Sequence, residues 1–188
     1  MIAIDLCAGS GWAVACRELG ITEFGNEIMI EAIATRAAMG AYTDPTSIAD
    51  LRDDYCAQGD IQIAGPPCQT FSPAGNGAGR RALPRVLEGV ATVAAGRRFT
   101  LEPGEDERTA LVLDPLRLAL GGRPRFIVWE QVPPVLPVWE ACAEVLRLAG
   151  YSVWTGILNS EQYGVPQTRS RAILMASRSN RVQRPAAT

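Results

Sequence analysis

The sequence predicts a doubly wound, mainly parallel α/β sheet. Short apolar runs rich in β-branched residues recur along the chain, with helical periodicity between them. The links are short, and Gly or Pro stands where the runs stop. At 188 residues, 47% apolar and 20% charged, the chain is long enough to bury a proper core.

Ile2-Ala3-Ile4-Asp5-Leu6 reads as the first strand and Trp12 to Leu19 as the helix behind it. Thr22 to Glu27 reads as a second strand, followed by a helix from about Met29 to Met39. Ile61 to Ala64 is a buried strand stopped by Gly65-Pro66-Pro67. Helical periodicity runs from Thr109 to Leu120, with Gly121-Gly122 placed to cap it. Phe126 to Trp129 is a strand, Val138 to Leu148 a helix ending at Gly150, and Tyr151 to Leu158 a further strand. Arg171 to Ala176 closes the set. The Gly- and Arg-rich stretch 75–106 interrupts the alternation and reads as a long loop with a helix near Val86 to Ala95. Residues 1–177 are expected to form one domain, and 178–188 a linker-like tail.

Composition narrows the function. No apolar run approaches membrane-span length and Met1 leads directly into a strand, so a cytoplasmic protein with no membrane partner is expected. Five cysteines without paired spacing, and no histidine, predict reduced thiols and no metal site. Proton transfer must then fall to a carboxylate, a thiol or water. All 18 basic residues are arginine, and they are unevenly placed. Residues 65–100 hold five arginines against one acid, as do residues 151–188, whereas residues 1–64 carry a net −7. If the two basic segments meet, through Arg80, Arg81, Arg97, Arg98, Arg169 and Arg171, they form a rim suited to a polyanion.

Four constellations carry chemistry. Cys68, in Gly65-Pro66-Pro67-Cys68-Gln69, stands at the carboxyl end of a strand on a loop stiffened by two prolines. Open α/β sheets bind their ligands at that end, and a thiol fixed there can act as a nucleophile. Asp5 to Gly11 links the first strand to the first helix, with Gly9 and Gly11 permitting close backbone approach to a ligand. Glu27 ends the second strand and is placed to accept both hydroxyls of a ribose, although a tight turn and a surface Glu would use the same residues. No complete dinucleotide or Walker motif is present, which leaves a smaller nucleoside-bearing cofactor. Glu130 follows Phe126-Ile127-Val128-Trp129, either as a proton donor with a raised pKa or as an exposed charge. Arg169 and Arg171 alternate to one face if a strand starts near Arg169, and so suit a phosphate or a base carbonyl, or else a solvated edge.

Taken in order, Asp5-Leu6-Cys7-Ala8-Gly9, Glu27, Gly65-Pro66-Pro67-Cys68-Gln69 with Phe71-Ser72-Pro73-Ala74-Gly75, Asp106-Glu107-Arg108 with Leu111, Glu130-Gln131-Val132, and Gln167-Thr168-Arg169-Ser170-Arg171 after Tyr163-Gly164-Val165-Pro166 resemble the DNA cytosine-5 methyltransferases. The resemblance runs from Met1 to about Ser177. It implies the Rossmann-like fold of S-adenosylmethionine-dependent methyltransferases, with that cofactor over the loop Asp5, Leu6, Cys7, Ala8, Gly9 and Gly11 and with Glu27 on its ribose. Further cofactor contacts are implied for Ile28, Ser47, Ile48, Pro66 and Gln69. The implied substrate is a cytosine flipped out of DNA. Cys68 would add to its C6, Glu130 would hold N3, and Arg169 and Arg171 would steady the base and the loop.

Departures from the family pattern fall mostly on the cofactor side. Cys7 stands where the family has an adenine-stacking Phe, Ser47 where an Asp reads the adenine amine, Ile28 where a Trp is common, and Gln131 where Asn follows the catalytic Glu. The family also carries a target-recognition region beyond this point. The chain is therefore expected to be a truncated form, one part of a split enzyme with a separate recognition chain, or a reduced homologue. Action on RNA or a free cytosine nucleotide, and a degenerate non-catalytic binding module, stand as alternatives.

Overall fold

A computed structural model describes residues 1–72 and 77–188. Seven strands form one sheet: β1 (Ile2–Leu6), β2 (Thr22–Asn26), β3 (Tyr42–Asp44), β4 (Ile61–Ala64), β5 (Phe126–Gln131), β6 (Ser152–Asn159) and β7 (Ser170–Ser177), in the spatial order β3-β2-β1-β4-β5-β7-β6. The pairs β3–β2–β1–β4–β5 are parallel, and β7 runs antiparallel between β5 and β6. The order reverses between β1 and β4. That switch point opens a crevice at the carboxyl ends of these two strands.

Helices α1 (Gly11–Glu18) and α2 (Ile30–Ala38) cover one face. The opposite face carries α3 (Ala78–Arg81), α4 (Leu83–Ala94), α5 (Asp114–Gly122) and α6 (Leu136–Leu148). Alternation assigns the side chains. Ile4, Leu6, Ala64, Ile127 and Trp129 enter the main core with Leu116, Trp139 and Leu146, while Ala3, Ile61 and Ile63 pack with Cys16 in a smaller core beneath α1. Trp129 and Trp139 pack with ring centroids 5.2 Å apart, and the Trp129 indole N–H donates to Gln62 Oε1 at 3.0 Å, so the buried ring has its polar atom satisfied.

The expected fold class is the observed one, with local corrections. The helix expected from Thr109 to Leu120 is two elements, a 3₁₀ segment (Glu107–Leu113) and then α5. Pro115 lacks an N–H and cannot continue the i→i−4 ladder across that junction. Gly121 and Gly122 belong to α5, and Arg123 takes the left-handed conformation at its end (φ 48°). β5 runs two residues past Trp129 because its pairing with β7 continues through Glu130↔Ile173 and Gln131↔Ala172. β3 was not foreseen, as three residues are too short to show alternation. The helix expected from Val86 begins at Leu83. Pro73, Ala74 and Gly75 of the cysteine-loop motif, and Asn76 of the long loop, lie outside the described residues. The tail 178–188 is irregular but tied down: Val182 N donates to Ser152 Oγ (2.9 Å) and Thr188 N to the Gln162 carbonyl (3.0 Å). Among the described residues no helix is long and apolar enough to cross a membrane.

One buried cation fixes the β1–β2–β3 corner. The Arg36 side chain, fully buried on α2, pairs with Glu23 at 2.7 Å and donates to Thr43 Oγ1 (2.9 Å) and to the carbonyls of Tyr42 (2.8 Å) and Gly9 (3.3 Å). Gly25 makes room for it, since a Cβ there would stand 2.0 Å from Arg36 Nη2. Breaking a buried pair leaves an uncompensated charge. Gly25→Ala is therefore expected to lower unfolding free energy by roughly 3–5 kcal/mol in urea denaturation. A loss under about 1 kcal/mol, the ordinary cost of a mild substitution, would mean that Arg36 does not hold this corner.

Candidate functional site

The carboxyl ends of β1, β4 and β5 bring the expected residues to one edge. β4 pairs with β5 through Ala64↔Trp129, so Gly65 and Pro66 follow on beside Glu130 and Gln131. A side-chain bond fixes that alignment. Buried Gln131 donates from Nε2 to the Pro66 carbonyl at 2.6 Å and accepts from Val132 N at 2.5 Å. The amide read from sequence only as a departure thus ties the cysteine loop to β5.

Cys68 is half-buried, and its backbone is held on both sides. Upstream, Gly65 N donates to the Leu6 carbonyl (3.1 Å), extending the β1–β4 ladder. Downstream, Phe71 N and Ser72 N donate to the Cys68 carbonyl at 3.0 and 2.8 Å, closing a turn anchored by the buried Phe71 ring. Gly79 N donates to the Thr70 carbonyl, and Arg80 Nη1 to the carbonyls of Phe71 (3.1 Å) and Ser72 (2.6 Å). Gln69 is exposed and Pro66 buried.

Glu130 lies on β5 with two cations on it. Arg169 Nη2 and Arg171 Nε reach the same oxygen, Oε1, at 2.9 and 2.7 Å. Register explains Arg171: Glu130 pairs with Ile173, which makes Arg171 its diagonal neighbour on the same face. Among the described residues no hydrogen bond is made to Oε2. Two guanidiniums therefore lie on this carboxylate, where the sequence offered a proton donor or an exposed charge. The alternation expected of Arg169 and Arg171 is met, although β7 begins one residue later, at Ser170.

The Gly-rich loop lies beside this crevice. Glu27 follows β2 directly and is nearly buried. Its carboxylate accepts from Gly9 N (3.0 Å) on Oε2, and from Ile28 N (2.8 Å) and Met29 N (2.9 Å) on Oε1. A carboxylate has about four acceptor positions, so one remains, on Oε2, rather than the free pair expected for two hydroxyls. Gly9 (φ 49°) and Gly11 have nothing within 4 Å of an added Cβ, so open space borders the loop there. Leu6, Ala8 and Ile48 are buried in the fold, Leu6 and Ile48 within the main core, and Ile28 is 56% exposed. Cys7 is half-buried at φ 55°, and burial followed by the charge of Glu27 pushes its thiol far up, which makes it an inert packing group.

Two arginines whose partners the sequence did not reveal hold the Ser47–Leu51 segment. Buried Arg117 donates to the carbonyls of Ile48 (2.9 Å) and Leu51 (3.0 Å) while pairing with Asp53 and Asp114. Arg98 donates to the carbonyls of Ala49 and Leu51. This corrects the basic rim: α4 is 12 residues, about 18 Å, and it separates Arg97 and Arg98 from the Cys68 loop where Arg80 sits. The only hints in sequence were an arginine inside an Ala-rich helix at position 36 and the Asp114/Arg117 spacing.

Comparisons with known proteins bear on the family and the fold. A family profile described as C-5 cytosine-specific DNA methylase matches residues 94–187. The type II methyltransferase M.AplI of Arthrospira platensis is 27% identical, over 94% of this chain and 45% of that protein. M.XorII of Xanthomonas oryzae pv. oryzae is 32% identical, over 94% of this chain and 40% of that protein. The crystal structure of S. pombe Dnmt2 methyltransferase superposes with a TM-score of 0.69 at 19% identity, covering 97% of this chain and 51% of the other, which shows a shared fold. The chain spans less than half the length of these two curated relatives.

Asp5 is fully buried beneath this loop, and both its carboxylate oxygens lack a partner among the described residues. Burial, and after it the charge of Glu23, push its carboxyl well above the ordinary range, against a downward pull from Arg36. The native state then keeps this proton to higher pH than the unfolded chain, whose Asp titrates at about 3.9. Stability must fall as pH rises from the unfolded value through the raised native one. Asp5→Asn, which cannot ionise, is expected to be more stable than the parent at about pH 8 and to lose that advantage by about pH 4. Parallel pH–stability curves for the two proteins would contradict it.

Proposed function

Because the chain belongs to the C-5 cytosine-specific DNA methylase family, we propose that it carries the catalytic half of a reaction that moves a methyl group from S-adenosylmethionine to C5 of a cytosine in DNA. The observation that supports this best is the layout of two neighbouring strand ends: a thiol on the braced loop after β4, and on adjacent β5 a carboxylate whose Oε1 is held by two arginines.

The cofactor end fits the residues present. The remaining acceptor position on Glu27 Oε2 suits one ribose hydroxyl, and the open space at Gly9 and Gly11 lets the chain of the ligand pass close to backbone. The Glu27 carboxylate beside the Gly9 amide gives this corner a negative charge that suits a cationic sulfonium. Bound S-adenosylmethionine would supply an electrophilic methyl group.

The chain's own residues then divide the work. Cys68 Sγ, as thiolate, adds to C6 of the cytosine and forms a C–S bond. The added electron density passes to the N3 side of the ring, where Glu130 Oε2 meets the base, and C5 becomes nucleophilic toward the methyl group. Arg169 and Arg171 hold Glu130 through Oε1, which fixes where Oε2 points. Loss of the C5 proton to water restores the ring and expels Cys68 as thiolate. No histidine is needed, because the thiol performs the covalent step and the carboxyl group serves N3. A base reached in this way must leave the duplex stack, which a pocket at a strand edge requires.

Two measurements test the assignment. A DNA duplex with 5-fluorocytosine in place of cytosine, which blocks loss of the C5 substituent, should give a cofactor-dependent adduct that Cys68→Ser abolishes. An adduct that persists in Cys68→Ser would remove the thiol from the mechanism. Glu130→Gln should slow methyl transfer by roughly 10²–10⁴ while leaving cofactor affinity within a few-fold. An unchanged rate at saturating cofactor would make Glu130 a structural partner of the arginines alone.

A further inference from the structure

Resting on the reading of DNA as the substrate, we propose that the end of the sheet opposite Cys68 is a second site for nucleic-acid phosphates. Arg123, Arg125, Arg178 and Arg181 form it, and it grips the backbone of a DNA segment without reading bases.

Strand register brings the four together. Phe126 pairs with Ser177, and Ser177 with Ser152, so the start of β5, the end of β7 and the start of β6 lie side by side. Arg125 precedes this row and Arg178 follows it, and Arg178 N donates to the Arg125 carbonyl at 3.1 Å. Val182 N donates to Ser152 Oγ at 2.9 Å, which brings Arg181 alongside. Arg123 stands between α5 and β5, and its carbonyl accepts from Arg178 Nη2. All four residues are exposed. From Arg125 to Glu130 is five steps along one strand, about 17 Å, so the cluster lies at the far end from the crevice.

The charge here is of one sign. Segments 115–129, 145–160 and 162–188, which build this end, contain no acidic residue. The carboxylates bordering it are engaged: Asp60 Oδ2 accepts from Ile2 N at 2.9 Å, Glu144 pairs with Arg147, and Asp53, beside Gly121, pairs with Arg117. Helices α5 and α6 both end here, and their last carbonyls offer a rival reason for the arginines. That reason covers Arg123, which donates to the Ala149 carbonyl (3.3 Å), and Arg178, which donates to the Pro124 carbonyl (3.2 Å). It does not cover the other two. Arg125 meets only Ser179 Oγ (3.0 Å) and the Phe126 ring (4.9 Å), and Arg181 makes no hydrogen bond or ion pair among the described residues. Even the capping pair keeps donors, because a guanidinium carries five N–H groups. Exposed Ser179 and Asn180 add further phosphate donors.

Guanidinium forks match phosphate oxygens, and contacts of that kind carry no sequence information. A local excess of positive charge attracts a polyanion even when the whole chain sums to −2. DNA is the polyanion that the proposed chemistry brings to this chain. A duplex with a base in the crevice lies at the other end of the sheet, so this end takes another segment of DNA.

Arginine modification by phenylglyoxal, read residue by residue by mass spectrometry with and without a saturating DNA duplex, tests this on the unaltered chain. The duplex should protect Arg125 and Arg181 and leave Arg17 on α1 reactive. In a fluorescence anisotropy titration, Arg125→Ala with Arg181→Ala should lower the slope of log Kd against log salt by about 1.8, since each phosphate contact contributes about 0.9. Arg125→Lys with Arg181→Lys keeps both charges and should keep the slope. A duplex that protects Arg169 and Arg171 but leaves Arg125 and Arg181 reactive would overturn the proposal and leave the functional reading intact, as would a folded double alanine variant with the parental slope. A duplex that protects no arginine would overturn the reading of DNA as substrate, and this site with it.

Discussion

The parallel register of β1, β4 and β5 is the constraint on which the rest of the molecule depends. Ala3↔Ile61 and Ile61↔Phe126 start the three strands level, and Leu6, Ala64 and Trp129 therefore reach the same height at their carboxyl ends. Everything with chemical potential leaves the sheet there: the Gly9–Gly11 loop from β1, the Cys68 loop from β4 and Glu130 from β5. A slip of one residue would send Glu130 to the opposite face, because strand side chains alternate. The Gln131–Pro66 hydrogen bond resists such a slip, since it joins β5 and the β4 loop at a buried point, where an unmade bond is costly.

Electrostatics here are mostly internal. The chain has 18 arginines and a net charge of −2. Several of the arginines serve as ties between backbone segments: Arg36 between β2, β3 and the Gly9 carbonyl, Arg117 and Arg98 on the Ser47–Leu51 segment, and Arg80 on the Cys68 turn. The planar, multiply donating guanidinium suits this work better than an ammonium would. Arg169 and Arg171 differ in that both meet a carboxylate at the crevice, and they still leave one of its oxygens open.

Much of the fold was legible in the sequence, because buried parallel strands are written as short β-branched runs that Gly and Pro terminate. Ile61–Ala64 followed by Gly65-Pro66-Pro67 is the clearest case, and it located Cys68 correctly at a strand end. β3 escaped because three residues carry no period, and the Thr109–Leu120 helix was misjudged because periodicity does not register the missing N–H of Pro115. At the site, Cys68, Glu27, Glu130, Arg169 and Arg171 were legible from residue type and spacing. What escaped was long-range partnership: that Glu27 spends three acceptor positions on backbone amides, that Arg98 turns inward, and that Gln131 reaches 65 residues back to Pro66. Such bonds depend on which strands become neighbours, and no local pattern encodes that.

The central claim is that one crevice, at the carboxyl ends of β1, β4 and β5, holds both the methyl donor and the reactive thiol. A crystal structure of the chain with S-adenosylhomocysteine tests it most directly. The account predicts the ribose at Glu27 Oε2 and the sulfur directed to the gap between Cys68 and Glu130. Density for the ligand anywhere away from the Gly9–Gly11 loop, or with its sulfur turned from Cys68, would contradict it.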